Sequence, residues 1–114
     1  MEAFNEKISY ENPFLSMKVI RTQRNQESFG RWHYHKELEI LVILEGYMDI
    51  HIGDHVYQLS QGDVLFIGSS ELHKDRCYEG AGLHYIILQF DVGQYFDPST
   101  LPYLKFFSQK RILL

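Results

Sequence analysis

The stretch "GRWHYHKELEILVILEG", residues 30–46, decides the fold. It contains two histidines two positions apart, then an acid, an unbroken apolar run and a glycine. Residues two apart on a β-strand point to the same side, about 6.6 Å from each other, so His33 and His35 can face one point while Trp32 faces outward. The apolar run after them predicts the next strand. We expect Trp32 to be covered by the N-terminal arm or by a C-terminal helix.

The rest of the chain continues this pattern, with short runs rich in Val, Ile, Phe and Tyr broken by Gly, Asn, Asp and Ser. The predicted strands are Met17–Thr22, Phe29–Tyr34, Leu38–Leu44, Tyr47–Ile52, His55–Leu59, Asp63–Ile67, Leu72–Arg76 and Leu83–Phe90. The clearest turn is Gly53-Asp54. The pairs expected across it are Ile52 with His55, Ile50 with Tyr57, and Met48 with Leu59. The pattern predicts an all-β sandwich or barrel.

Length and composition indicate one globular domain without a membrane span. The chain has 114 residues, of which 45% are hydrophobic and 23% charged. Its net charge is −4 and its cations are scattered, which argues against nucleic-acid binding by this segment. The single cysteine, Cys77, excludes an internal disulfide. Because no secretory signal is visible either, we expect a cytoplasmic location.

Three segments are expected from composition. Residues 1–15 form an N-terminal arm, residues 16–92 the barrel, and residues 93–114 a helical edge in which Leu101, Leu104 and Phe107 have helical spacing. The sequence stops directly after "ILL", from which we expect the chain to be truncated from a larger protein.

The histidine pair can bind a metal ion only with help from elsewhere in the chain. Glu39 lies about 13 Å beyond His35 on a straight strand, so the polar Lys36-Glu37 pair must bend the chain. His73 can supply a further ligand. Three histidines and one carboxylate suit manganese, iron, nickel or zinc. The alternative is that these are strand histidines that hydrogen-bond to neighbours, water or a polar ligand.

Two motifs resemble those of the cupin superfamily. The first is His33-x-His35-x(3)-Glu39-x(6)-Gly46, and the second is Gly62-x(5)-Gly68 followed by His73. The resemblance implies a double-stranded β-helix, or jelly-roll, barrel. The chain departs from the second motif because Gly68, Ser70 and Cys77 stand where proline, glycine and asparagine are usual. These departures put an enzyme-type site in question, although all four ligand positions are kept.

A longer stretch, "HYHKELEILVILEGYMDIHIGDHVYQLSQGDVLFIGSSELH" at residues 33–73, is similar to the sensor half of AraC-type bacterial transcription regulators. The resemblance implies a cupin barrel that binds a small effector, often a sugar, and contributes to a homodimer. It also implies that DNA is bound only through a separate pair of helix-turn-helix motifs, which this sequence lacks. In such sensors the interior positions line a ligand pocket and commonly work without an ion.

We therefore expect a non-enzymatic effector-binding domain with no required cofactor, no membrane association and no catalytic residue. The predicted ligand pocket consists of His33, His35, Glu39, Tyr57, Phe66 and His73, and the predicted ligands of a captured Zn, Ni, Mn or Fe ion are His33, His35, Glu39 and His73. We expect Glu37 and Glu45 to be solvated near turns, and His51, His55 and His84 to be ordinary strand histidines. Two alternatives stay open: a stand-alone metal-dependent cupin enzyme, such as a dioxygenase or isomerase, and a ligand-free interaction module.

Overall fold

The computed structural model describes residues 3–10, 16–91, 99 and 110–113, and all statements below concern those residues. They contain eleven β-strands. The strands are β1 Phe4–Asn5, β2 Met17–Arg24, β3 Ser28–Phe29, β4 His33–Tyr34, β5 Leu38–Glu45, β6 Tyr47–Ile52, β7 His55–Ser60, β8 Asp63–Ile67, β9 His73–Cys77, β10 Leu83–Phe90 and β11 Lys110–Leu113. No helix in these ranges is long and apolar enough to cross a membrane.

The strands form two sheets. The first sheet has the order β1-β4-β9-β6-β7, and β3 also pairs with β9. The second sheet has the order β11-β8-β5-β10-β2. All strand pairs are antiparallel except β1 with β4, which is parallel. This is the predicted all-β architecture.

The core lies between the two sheets because alternate residues of the central strands point inward. On β5 the inward positions include Leu41 and Ile43, and on β6 they are Met48, Ile50 and Ile52, all at most 3% exposed. The remaining members of this core are Leu59, Leu65, Ile67, Cys77, Leu83 and Tyr85. Burial of this continuous apolar cluster supplies the main stabilising free energy of the domain.

The β6–β7 hairpin has the predicted register. Ile52 pairs with His55 across the Gly53-Asp54 turn, and the pairing continues to Met48 with Leu59. The glycine of the opening stretch, Gly46, is required for two reasons. Its φ is +79°, and a Cβ there would lie 2.6 Å from the carbonyl oxygen of Ala81.

The predicted strand Phe29–Tyr34 is divided into β3 and β4. Both strands pair with β9. Between them, the N–H of Gly30 donates to the carbonyl of Asp75 at 2.8 Å, and its missing side chain leaves room for the Asp75 carboxylate. Trp32 faces outward as expected. Its ring is covered by Lys74, whose Nζ lies 4.8 Å from the ring centroid, and meets the edge of His51.

Both predicted terminal segments contain strands. In the arm, Phe4–Asn5 forms β1 and pairs with β4. At the other end, the predicted helix around Leu101 to Phe107 lies outside the described residues. The helical edge was wrong for Lys110–Leu113, which form β11 antiparallel to β8. The physical reason is that β8 otherwise ends the second sheet, and β11 satisfies its open backbone groups.

Candidate functional site

The predicted histidines converge at one end of the barrel. His33 on β4 pairs directly with His73 on β9, and His35 follows β4 by one residue. Their ring centroids lie 4.1 Å apart for His33 and His73, and 5.1 Å apart for His35 and His73. One ligand nitrogen from each ring lies within 4.8 Å of the others. Glu39 reaches the cluster from β5 of the opposite sheet.

A bend at residues 36–37 brings Glu39 back to His35, as the spacing predicts. The bend differs from expectation in one respect, because Glu37 is 1% exposed and not solvated. Its carboxylate accepts a hydrogen bond from the Tyr10 hydroxyl of the arm. This partner accounts for the burial, because a buried carboxylate needs a donor. Glu45 is exposed, as expected.

The backbone fixes the orientation of all three imidazoles. Each Nδ1 lies within hydrogen-bond distance of a carbonyl oxygen two residues away: His33 with Arg31 at 2.9 Å, His35 with Glu37 at 3.0 Å, and His73 with Glu71 at 2.8 Å. Because a carbonyl only accepts, each Nδ1 must carry the hydrogen. A neutral ring then presents its Nε2 lone pair to the centre of the cluster. The Nε2 of His73 is buried and has no hydrogen-bond partner among the described residues.

Glu39 is the charged centre of the site and is 5% exposed. Its Oε1 accepts from Gln89 Nε2 at 2.9 Å and lies 3.1 Å from His35 Nε2. Burial alone raises the pKa of Glu39, but the hydrogen bond to His35, the nearby His73 imidazole and the Gln89 amide together hold that pKa below its usual value. The carboxylate is therefore ionised near neutral pH.

The two buried histidines respond to Glu39 differently. Burial lowers the pKa of His35, but the hydrogen bond to Glu39 and its charge outweigh burial, so the pKa of His35 is raised. For His73, burial and the nearby His33 outweigh the carboxylate, and its pKa is lowered. Its Nε2 lies 3.9 Å from Glu39 Oε1. These directions favour protonation of His35 over protonation of His73.

This donor set can hold a divalent transition ion or a polar molecule. Ligand atoms around such an ion lie about 3 to 3.5 Å apart, for bonds of about 2.1 Å. The rings therefore need only a small inward movement from their present spacing. Three imidazoles and a carboxylate fit zinc, nickel, manganese or iron. Without an ion, the same acceptors can bind the hydroxyl groups of a ligand.

Two predicted pocket residues lie elsewhere. Phe66 pairs with Ile40, the neighbour of Glu39, and so points to the outer face of the second sheet. Tyr57 points inward, but its strand lies two strands from β9, and its ring packs against the core. The structure thus brings together His33, His35, Glu39 and His73, and not these aromatic residues.

Sequence reasoning missed Gln89, which orients Glu39. It is 4% exposed and comes from β10, which neighbours β5 in the second sheet. The available signal was a polar residue within the apolar run "YIILQF". His84 is a strand histidine without a role in the site, as expected: it is buried, and its Nε2 accepts from Arg21 Nε at 2.7 Å. It lies on the outer face, away from the site.

Comparison with known proteins gives a family and a relative. Residues 14–101 match the model of the AraC-like ligand binding domain family. An uncharacterized HTH-type transcriptional regulator of Bacillus subtilis, YdeC, is 31% identical over 105 residues. The match covers 79% of this chain but only 36% of that relative. The chain therefore spans about a third of the regulator's length.

Solved structures with the same fold are cupins. A cupin-like protein from Thermotoga maritima has a TM-score of 0.65 at 22% identity, over 74% of this chain and 64% of its own. An oxalate decarboxylase from Bacillus subtilis, described with Mn(II) centres, has a TM-score of 0.60 at 18% identity, over 74% of this chain and 23% of its own. At these identities the likeness establishes the cupin barrel and not the activity.

Proposed function

Because the chain belongs to the AraC-like ligand-binding domain family, we propose that it is the effector-binding and dimer-forming half of a cytoplasmic transcription regulator. DNA binding in such a regulator belongs to a helix-turn-helix part outside this sequence. The domain itself binds a small molecule and catalyses no reaction. The similarity to an HTH-type regulator supports this assignment.

The observation that carries the proposal is the polar cluster of His33, His35, Glu39 and His73, in which His35, Glu39 and His73 are buried. Burying a polar group without a partner costs free energy, and the Nε2 of His73 has no hydrogen-bond partner in the part of the chain that the structure describes. A ligand that donates hydrogen bonds would remove this cost. Hydroxyl groups suit both the imidazole and the carboxylate acceptors, so the effector class we propose is a small carbohydrate.

The arm offers a route from the site to the rest of the regulator. Its strand β1 pairs with β4, so Phe4 lies beside His33. Farther along the arm, Tyr10 donates to Glu37, whose carbonyl in turn accepts from His35. A ligand that moves either histidine therefore changes the strand or the hydrogen bond that holds the arm. Effector binding would bias the arm between two arrangements, which is a coupling between separate sites.

A sugar screen by thermal unfolding tests the proposal. Aldoses, ketoses and uronic acids are added singly, and a binding sugar is expected to raise the melting temperature with concentration. Glu39→Gln is expected to abolish that rise. Glu45→Gln is the matched control, because Glu45 is exposed at the other end of the same strand. Absence of a shift with every sugar would refute the carbohydrate class, and an equal response in Glu39→Gln would refute the site.

A second candidate function is binding of a divalent transition ion at the same residues. It is supported by the three anchored Nδ1 atoms, because ligating histidines usually donate the other ring N–H to a carbonyl or carboxylate. Zinc, nickel and manganese are titrated into chelator-treated protein by calorimetry. One ion per chain is expected for the wild type and for His55→Gln, whose residue is exposed, and none for His73→Gln. Unchanged binding by His73→Gln would contradict this assignment.

The same titration bears on the enzyme alternative. A metal-dependent dioxygenase or isomerase would need the ion bound stoichiometrically at this cluster. If the wild type binds none of the titrated ions, the enzyme alternative is refuted and the effector-binding proposal is unaffected.

A further inference from the structure

A row of polar side chains crosses the inner face of the second sheet beside the histidines. Glu39 on β5 pairs directly with Gln89 on β10, and Gln89 pairs directly with Lys18 on β2. Side chains of directly paired residues point to the same face of a sheet. Because Glu39 meets His73 of the first sheet, that face is the one turned toward the core. The row therefore leads from the histidines to Lys18 on the edge strand β2.

The amide oxygen of Gln89 is an acceptor that lacks a donor. The amide Nε2 donates to Glu39 Oε1 at 2.9 Å, and an ionised carboxylate accepts but never donates. The amide nitrogen must therefore face Glu39, which turns Oε1 away from it. This oxygen is buried and has no hydrogen-bond partner among the described residues. A ligand group that reaches it has to be a donor, such as a hydroxyl.

Lys18 adds a positive charge at the end of this row. Its side chain is partly buried, whereas the adjacent Val19 points outward and is 50% exposed. Within the described ranges, no carboxylate lies at ion-pair distance from Lys18. The negative charge of Glu39 lies beside His35 instead, at 3.1 Å. A partly buried ammonium group without a counter-ion attracts an anion more strongly than an ammonium group in bulk water does.

We propose that the effector is an anionic carbohydrate, a sugar acid or a sugar phosphate, whose anionic group pairs with Lys18. Its hydroxyl groups donate to Gln89 Oε1 and His73 Nε2, the two buried acceptors that lack donors among the described residues. Neighbouring strands lie about 4.8 Å apart, so the backbone of Lys18 is about 10 Å from that of Glu39, and the long lysine stem can reach back along the row. A single sugar unit with one anionic substituent can therefore contact both ends of the row. The inference deepens the proposed function and rests on it for the existence of a carbohydrate effector.

Isothermal titration calorimetry of the 114-residue chain with matched neutral and anionic sugars tests the proposal. The probes are glucose, galactose and mannose, each beside its uronate and its 6-phosphate. At least one anionic sugar is expected to bind at least about tenfold more tightly than its neutral parent, because a charge-assisted hydrogen bond is stronger than a neutral one. The tighter of the uronate and the phosphate identifies the anionic group. Inorganic phosphate alone should bind more weakly than the sugar phosphate, and equal binding would overturn the proposal.

Variants of the row assign the contacts. Lys18→Met should abolish the preference for the anionic sugar, and Lys18→Arg, which keeps the charge, should retain it. Lys74→Met is the matched control, because Lys74 is a partly buried lysine that covers Trp32 on the outer face of the first sheet, and it should leave the preference unchanged. Gln89→Met should weaken the binding of neutral and anionic sugars by the same factor.

The outcomes separate this inference from the proposed function. Equal binding of neutral and anionic sugars by the wild type, a preference that survives Lys18→Met, or unchanged binding by Gln89→Met would each overturn the inference and leave the carbohydrate proposal in place. Absence of binding by every sugar would overturn both.

Discussion

Removing either partner of the His35–Glu39 pair is expected to destabilise the protein strongly. Their side chains are 0% and 6% exposed, and the atoms His35 Nε2 and Glu39 Oε1 lie 3.1 Å apart. Loss of one partner leaves the other charge buried, which costs about 3–5 kcal/mol. Glu39→Leu also removes the acceptor of Gln89. Because a domain of this size is stable by about 5–15 kcal/mol, either change removes a large share of that stability.

The double variant His35→Leu with Glu39→Leu should behave differently. Replacing both buried partners by apolar side chains leaves neither charge uncompensated, and such replacements are often neutral or stabilising. We expect the double variant to be more stable than either single variant, with a coupling free energy of about 2 kcal/mol or more.

Urea denaturation at pH 7, followed by circular dichroism and with a chelator present, measures these free energies of unfolding. The slope of the transition must stay constant for the comparison to hold. Additive single effects, with the double variant the least stable of all, would refute the reasoning. That result would mean that the two side chains do not act as a buried charge pair.

Three further predictions concern the scaffold. Gly46→Ala should cost at least about 2 kcal/mol of unfolding free energy, measured by urea denaturation. The reason is that alanine would have to adopt a positive φ there and its Cβ would clash with the Ala81 carbonyl. Gly53→Ala, where φ is also positive but the surrounding space is open, should cost less. Leu65→Ala, at a position that is 0% exposed, should cost about 3–5 kcal/mol, and a loss below about 1 kcal/mol would contradict its place in the core. The Cys77 thiol should react with a disulfide reagent at pH 8 far more slowly in folded than in unfolded protein, because burial raises its pKa and reduces the thiolate fraction; equal rates would show that the thiol is accessible.

The parts of the site that local spacing determines could be predicted. The two histidines of the first motif share a face because strands have a period of two, and the bend before Glu39 follows from two polar residues. The Gly53-Asp54 turn likewise determined the register of its hairpin. These features depend on residues within a few positions of one another.

The wrong predictions concern features that depend on contacts between residues far apart in the sequence, or on segments without hydrophobic alternation. Glu37 is buried because Tyr10, 27 residues away, donates to it. The face of Phe66 cannot be read from the run "VLFI", because that run is apolar at every position and shows no alternation. The strand Lys110–Leu113 depends on the open edge of β8, which a local pattern cannot show.

The carbonyl anchors of the three imidazoles have a consequence for how such a sensor diversifies. Each ring is oriented by a main-chain carbonyl two residues away. Substitutions elsewhere along the barrel wall can therefore alter which molecule fits while the nitrogens keep their direction. Related proteins that keep these three carbonyl contacts can therefore evolve specificity for a different small molecule while the histidine cluster stays unchanged.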